Sequence, residues 1–206
     1  SITIMIDNIL ESANMDESTR NRFLISIKRE IINMNFLVQN LLKLSKFDAN
    51  VVKFSKREVK LHDIIYSAYD KVNALSDLKN VNVKISGDDS STLVCDEMWQ
   101  IEALGNILKN SIEHTSEYGT VEVNYSENKL YTRILIKDNG KGIDSDDLPH
   151  IFDRFYKGKG GNTGLGLSIV KSIAESNGWG LKAYNADEGG AVVEIVIPPL
   201  RDKDVN

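Results

Sequence analysis

Three short stretches of this sequence combine residue types that can hold a charged ligand. In "GNILKNSIEHT", Asn106 and Asn110 stand four residues apart. On a helix that spacing puts both amides on one face. Neutral amide oxygens suit a hard cation such as Mg²⁺, although two solvated polar residues would need no ligand. In "IKDNGKGI", an Asp-x-Gly-x-Gly turn lets the backbone approach a ligand and leaves one carboxylate, Asp138, facing it. A carboxylate only accepts hydrogen bonds, so it can take one from the exocyclic amine of adenine and repels the carbonyl oxygen of guanine. The plain alternative is a surface turn of Asp, Asn and Gly. The third stretch, "GKGGNTGLGLSIVKSIAE", has five glycines in its first nine residues and then turns at once into an amphipathic helix. Glycine weakens helices, so this placement needs a reason. Backbone N–H groups at a glycine-led helix N-terminus can hold an anion, assisted by the helix dipole. Gly164 and Gly166 are then expected at the helix start with Thr163 as its cap. Gly158, Gly160 and Gly161 would form a lid with Lys157 and Lys159. The alternative, a glycine-rich linker, rarely runs straight into an amphipathic helix.

The elements that must position these stretches are legible from hydrophobic periodicity. Leu24, Ile27, Ile31, Met34, Val38 and Leu41 follow a three-four spacing that predicts a heptad seam. Ile2, Ile6, Ile9 and Ala13 make a shorter stripe. Between them "NMDESTR" offers a capping box, Asn14 to Glu17. The pattern predicts two antiparallel helices, the second running to about Phe47. Such a hairpin cannot enclose its own seam, so a four-helix bundle formed by a homodimer is expected. The alternative is packing against the rest of the chain. A composition shift after "SKFDAN" puts a domain boundary near residues 49–52, giving segments 1–50, 51–200 and a tail at 201–206. Beyond it the pattern predicts a helix from His62 with Ile65, Ala68, Val72 and Leu75 on its apolar face. Strands follow at "VNVKIS" and "TLVCD", then a helix capped by Asp96 and carrying Ile101, Leu104, Leu108 and Ile112. A hairpin is expected around "ENK", the glycine-led helix from about Leu165 to Glu175, and a second hairpin around "EGG". Adjacent antiparallel strands mixed with helices imply an α+β chain whose larger part is a two-layer α/β sandwich, with helices on one face of the sheet.

Taken in order, "NILKNSIEHT", "DNGKGI", "IFDRFYKG" and "TGLGLSIV" resemble the N, G1, F and G2 boxes of sensor histidine kinases. The resemblance covers about residues 52–199 and implies the ATP-binding sandwich shared with type II topoisomerases and Hsp90-type chaperones. The leading hairpin resembles the family's dimerisation and phosphotransfer domain. On this resemblance Asn110 is the Mg²⁺ ligand and Asn106 supports the phosphates. Asp138 binds adenine, with Gly140, Gly142 and Ile143 shaping that pocket. Phe152, Phe155 and Tyr156 anchor the lid, Arg154 contacts phosphate or the helical domain, and Lys157 is a lid cation. Thr163, Gly164, Leu165, Gly166 and Leu167 form the phosphate-side helix start, and His114 packs near the nucleotide. Glu113 departs from the lysine that many relatives carry, so its positive contact is missing or replaced by Lys109 or Lys141. Lys157 keeps the charge of a common arginine but loses its bidentate fork. Asn162 stands for a frequent glycine, and the lid is short.

The resemblance implies transfer of the ATP γ-phosphoryl group to a histidine, then to an aspartate on a response regulator receiver domain. The chain holds three histidines. His62 reads as a helix-start residue, His114 closes the N box, and His150 reads as surface. The acceptor motif is therefore expected just ahead of Ser1, with the chain cut within the first helix. A related serine kinase of the anti-sigma type would lack the heptad hairpin. A non-catalytic dimeric scaffold with a degenerate site is disfavoured by intact Asn110, Asp138 and residues 164–167. An ATP-hydrolysing clamp wants a catalytic glutamate in the N-box helix, where Glu102 and Glu113 are poorly placed. A net charge of −5 gives no support to a nucleic-acid partner. With 41% hydrophobic and 27% charged residues, and no apolar run near the ~18 residues of a span, the chain reads as globular. It is expected to be the cytoplasmic region of a bacterial protein anchored to the membrane only through upstream segments. The lone Cys95 sits in a strand pattern and reads as a buried thiol.

Overall fold

The computed structural model describes residues 1–11, 15–158 and 164–199. Ala13, Asn14 and the lid residues from Lys159 to Thr163 lie outside the described residues. The chain divides into two compact units, Ser1–Ser45 and Lys46–Asn206.

The first unit is helical. Helix α1 spans Ile2–Glu11, and α2 spans Glu17–Asp48, its last residues belonging to the second unit. The Thr19 N–H donates to Asp16 Oδ1 at 2.8 Å, so Asp16 caps α2. Of the seam residues only Ile27 is buried; Leu24, Ile31, Met34, Val38 and Leu41 are 43–56% exposed. Among the described residues no helix is long and apolar enough to cross a membrane.

The second unit is built on a five-stranded sheet of order β2-β4-β5-β7-β6. Its strands are β2 (Asn82–Ser86), β4 (Thr120–Glu127), β5 (Thr132–Asp138), β6 (Gly180–Asn185) and β7 (Ala191–Ile197). A separate antiparallel pair joins β1 (Arg57–Lys60) to β3 (Thr92–Cys95). The helices are α3 (Leu61–Asp70), α4 (Asn73–Leu78), α5 (Glu97–His114) and α6 (Gly166–Asn177). Alternation along β5 buries Thr132, Ile134, Ile136 and Asp138 and turns Arg133, Leu135 and Lys137 the other way. Leu104, Leu108 and Ile112 of α5 and Ile169 and Ile173 of α6 are fully buried. Each such side chain contributes about 1.5–3 kcal/mol of burial.

Three sequence expectations change. The helix from His62 is two helices: Val72 leaves helical angles (φ −124, ψ −1), and Ser76 Oγ donates to the Asn73 carbonyl at 2.8 Å to settle the corner. Val72 stays buried, so the apolar spacing survives a break it cannot reveal. The strand β1 lies between the boundary and the helix, where sequence reading expected no element. The sheet is mixed, because β2 pairs parallel to β4, with β3 and α5 between them in the chain supplying the crossover.

Both ends of α5 are fastened. At its start Asp96 Oδ1 accepts from the Trp99 N–H, as expected of the cap, while Oδ2 accepts from the Ser55 N–H. Phe47 packs edge-on to Trp99, ring centroids 4.9 Å apart. At its end the Lys79 ammonium donates to the carbonyls of Ile112, Glu113 and Thr115 at 2.7–2.9 Å. A cation there complements the helix dipole and satisfies carbonyls that the helix cannot. Lys79→Met is expected to lower unfolding free energy by about 1.5–3 kcal/mol, read from urea denaturation. Cys95 is fully buried, and burial pushes its thiol up to about 12. It should therefore resist alkylation at pH 8 in the folded protein and react once unfolded.

Candidate nucleotide site

Asp138 ends β5 on the inward side of the pleat and is 4% exposed. Burial raises the pKa of its carboxyl, and the amides of Ala191 and Gly140 partly oppose this. Both donate to Oδ1, at 3.1 and 3.0 Å. Among the described residues no donor is directed at Oδ2, which leaves that oxygen for a ligand. The turn after Asp138 needs its glycines. A Cβ on Gly140 would lie 2.6 Å from the His114 carbonyl oxygen, so the end of α5 rests on the turn. Gly142 takes φ +76, and a Cβ there would lie 2.8 Å from Asn185 Oδ1.

Asn106 and Asn110 lie four apart on α5, as the sequence requires. The Asn106 amide donates to the Glu102 carbonyl at 2.9 Å, which leaves its oxygen toward α6: a Cβ on Gly166 would lie 3.1 Å from Asn106 Oδ1. No described residue hydrogen-bonds the Asn110 amide. Lys109 Nζ lies 3.9 Å from a Glu113 carboxylate oxygen, so the charge read as a replacement for a missing lysine is shared with Glu113 itself.

Helix α6 begins at Gly166, with Leu165 at the cap position and no side-chain cap. The cap expected at Thr163 is thus taken by Leu165, a buried apolar residue, and Thr163 itself lies outside the described residues. The uncapped first-turn N–H groups suit an anion. Gly164 has φ +68, and a Cβ there would collide with the Tyr156 carbonyl. The Phe155 N–H donates to the Gly164 carbonyl at 2.9 Å, so the chain on either side of residues 159–163 is held together. The aromatic segment divides its roles. Tyr156 is anchored, its hydroxyl donating to Asp147 Oδ1 at 2.6 Å. Phe155 is 58% exposed with φ +61, and its backbone N–H holds Gly164. Arg154 forks Asp48, Nη1 to Oδ2 at 2.7 Å and Nη2 to Oδ1 at 2.5 Å. Lys157 and Lys141 are exposed. His62 is a helix-start residue against Tyr66, ring centroids 4.3 Å apart, and His150 is an exposed partner of Asp153.

Sequence reading expected the hairpin around "EGG" but not its part in holding the Asp138 turn. Gly190 has φ +86, and a Cβ on it would collide with the Asp138 carbonyl. Ala191 feeds its amide to Asp138, and Asn185 holds Ile143. The only signal was the glycine pair, which reads equally well as a bare turn.

The Histidine kinase-, DNA gyrase B-, and HSP90-like ATPase model matches residues 95–201. The chain belongs to this family, and the sandwich is its ATP-binding domain. The chain is 30% identical over 198 residues to the sensor protein KdpD of Clostridium acetobutylicum, covering 92% of this chain and 22% of that protein. It is 28% identical over 209 residues to the sensor histidine kinase WalK of Bacillus subtilis, covering 97% and 34%. It therefore spans about a fifth to a third of the length of these curated relatives. Among solved structures, histidine kinase ThkA in complex with response regulator protein TrrA is similar in fold, with a TM-score of 0.78 at 22% identity, over 97% of this chain and 57% of that one.

The adenine expectation for Asp138 depends on its ionised carboxylate. Because burial raises its pKa, ATP affinity should fall on acidification with a midpoint above the ordinary aspartate range, measured by calorimetry across pH. The sign for stability is opposite. A carboxyl whose folded pKa is raised favours the folded state most at low pH, and that contribution disappears as pH rises through the folded value.

Proposed function

We propose that this chain is the catalytic region of a sensor histidine kinase, which binds Mg²⁺-ATP and transfers its γ-phosphoryl group to a histidine. From there the phosphoryl group passes to an aspartate of a response regulator receiver domain. The observation that carries the reading is how α5 joins the parts: a Cβ on Gly140 of the Asp138 turn would meet the His114 carbonyl at its end, and Gly166 at the uncapped start of α6 lies against Asn106 on the same helix.

In this reading Asp138 Oδ2 accepts the adenine amine, while Gly140, Gly142 and Ile143 form the wall beside it. The N–H groups at Gly166 and Leu167 face the phosphates, and the Asn106 amide oxygen orders the start of that helix. Asn110 offers one neutral oxygen on the same face, which fits Mg²⁺ held mainly by phosphates and water. Among the described residues no cluster of three or more His, Cys, Asp or Glu could hold a metal alone, consistent with a cation that arrives with its nucleotide. The ion supplies charge neutralisation on the phosphates when bound. The lid cations Lys157 and Arg154 approach the phosphates from the lid side. Arg154 must first leave Asp48. Catalysis of this kind is positioning plus electrostatic stabilisation.

The exposed seam of α2 supports a homodimer through the helical unit, forming a four-helix bundle. In this reading the chain is the cytoplasmic region of a membrane-anchored bacterial protein. Two measurements test the reading. Wild type should bind ATP and discriminate against GTP, and Asp138→Asn should bind ATP at least tenfold more weakly. Radiolabel from γ-labelled ATP should reach a supplied acceptor-histidine helix as an acid-labile adduct. Absence of label with ATP bound would eliminate the kinase assignment while leaving the nucleotide site standing.

A further inference from the structure

We propose that Asn185 is a positioning residue of the nucleotide site, acting through the Asp138–Ile143 turn and never touching the ligand itself. The inference rests on the proposed ATP site and deepens it.

Asn185 ends β6, on the far side of the sheet order from β4. Its side-chain amide makes a two-point clamp on one residue of the turn. Oδ1 accepts from the Ile143 N–H and Nδ2 donates to the Ile143 carbonyl, both at 2.7 Å. A side chain that satisfies both polar groups of one peptide residue replaces a missing strand partner. It fixes two backbone groups at once, where a single hydrogen bond would leave a hinge. The clamp also explains Gly142: the amide sits where a Cβ would be, 2.8 Å from Oδ1.

The other end of the same turn is held from the same hairpin, since the Ala191 amide donates to Asp138. Register pairs Asn185 with Ala191 across β6 and β7. One cross-strand pair therefore grips both ends of the turn that carries the base-reading carboxylate: Ala191 at Asp138 and Asn185 at Ile143. Ala191 does so with its backbone, a grip that only proline would remove. Asn185 does so with its side chain, which makes it the residue at which the turn's geometry can be altered. Removing the clamp frees Gly140 to Ile143 while leaving the Asp138 carboxyl chemically intact.

The test compares wild type, Asn185→Ala, Asn185→Ser and Lys182→Ala, the last an exposed position on the same strand. ATP affinity is measured by calorimetry, and amide hydrogen exchange is followed without nucleotide. For Asn185→Ala, ATP should bind about tenfold more weakly, the effect typical of a group that orients a ligand-binding residue. Exchange should accelerate at residues 140–143 and stay unchanged in β4. Asn185→Ser, keeping one hydroxyl, should fall between, and Lys182→Ala should match wild type. ATP affinity within twofold of wild type in Asn185→Ala, or exchange that accelerates evenly across the sheet, would overturn the proposal. If wild type itself binds no ATP, the proposed function fails. The exchange pattern then still decides whether Asn185 holds the turn.

Discussion

A carboxylate kept in a nearly dry place constrains more of this fold than any other single group. Asp138 is removed from water at the end of an inward-facing strand, and an ionised carboxyl there is costly unless hydrogen bonds compensate. The compensation comes from two backbone amides, and each dictates local sequence. Gly140 must approach the end of α5, and Gly190 must let the β6–β7 hairpin close against the Asp138 carbonyl. One oxygen is satisfied within the fold, while the other is left for a donor from outside.

The rest of the second unit supports that arrangement. Helix α5 is fixed at its start by Asp96 and the Phe47–Trp99 contact, and at its end by Lys79. The asparagine face is therefore presented at a defined height along the sheet. Helix α6 starts against Asn106 without a side-chain cap, which leaves its first N–H groups for an anion. Gly164 and Phe155 tie the chain together on either side of the lid. The exposed fork between Arg154 and Asp48 contributes little to stability, yet it occupies the one guanidinium of the segment.

Much of the candidate site was legible because its signals are local. The four-residue spacing of Asn106 and Asn110 follows from helix geometry alone. The glycines at 140, 142 and 164 are needed where a side chain would collide or strain the backbone, and the one at 166 eases a tight approach to Asn106. Asp96 as a cap and Cys95 as a buried strand thiol follow from their immediate neighbours. The break at Val72 was not legible, since apolar spacing continues across the corner. The exposure of the Phe155 ring was not legible either, because aromatic character says nothing of which ring a positive φ turns outward.

By itself the sequence determined the order of the elements, the faces they bury and the residue types able to read an adenine nucleotide. Those properties depend on periodicity and on steric limits within a few residues. Only the tertiary structure decided which distant groups complete the site. The parallel pairing of β2 with β4, the grip of Asn185 and Ala191 on the Asp138 turn, the Lys79 cap and the Arg154–Asp48 fork join residues 33 to 106 positions apart. Contacts of that range depend on sheet order and crossover path, which no local pattern encodes.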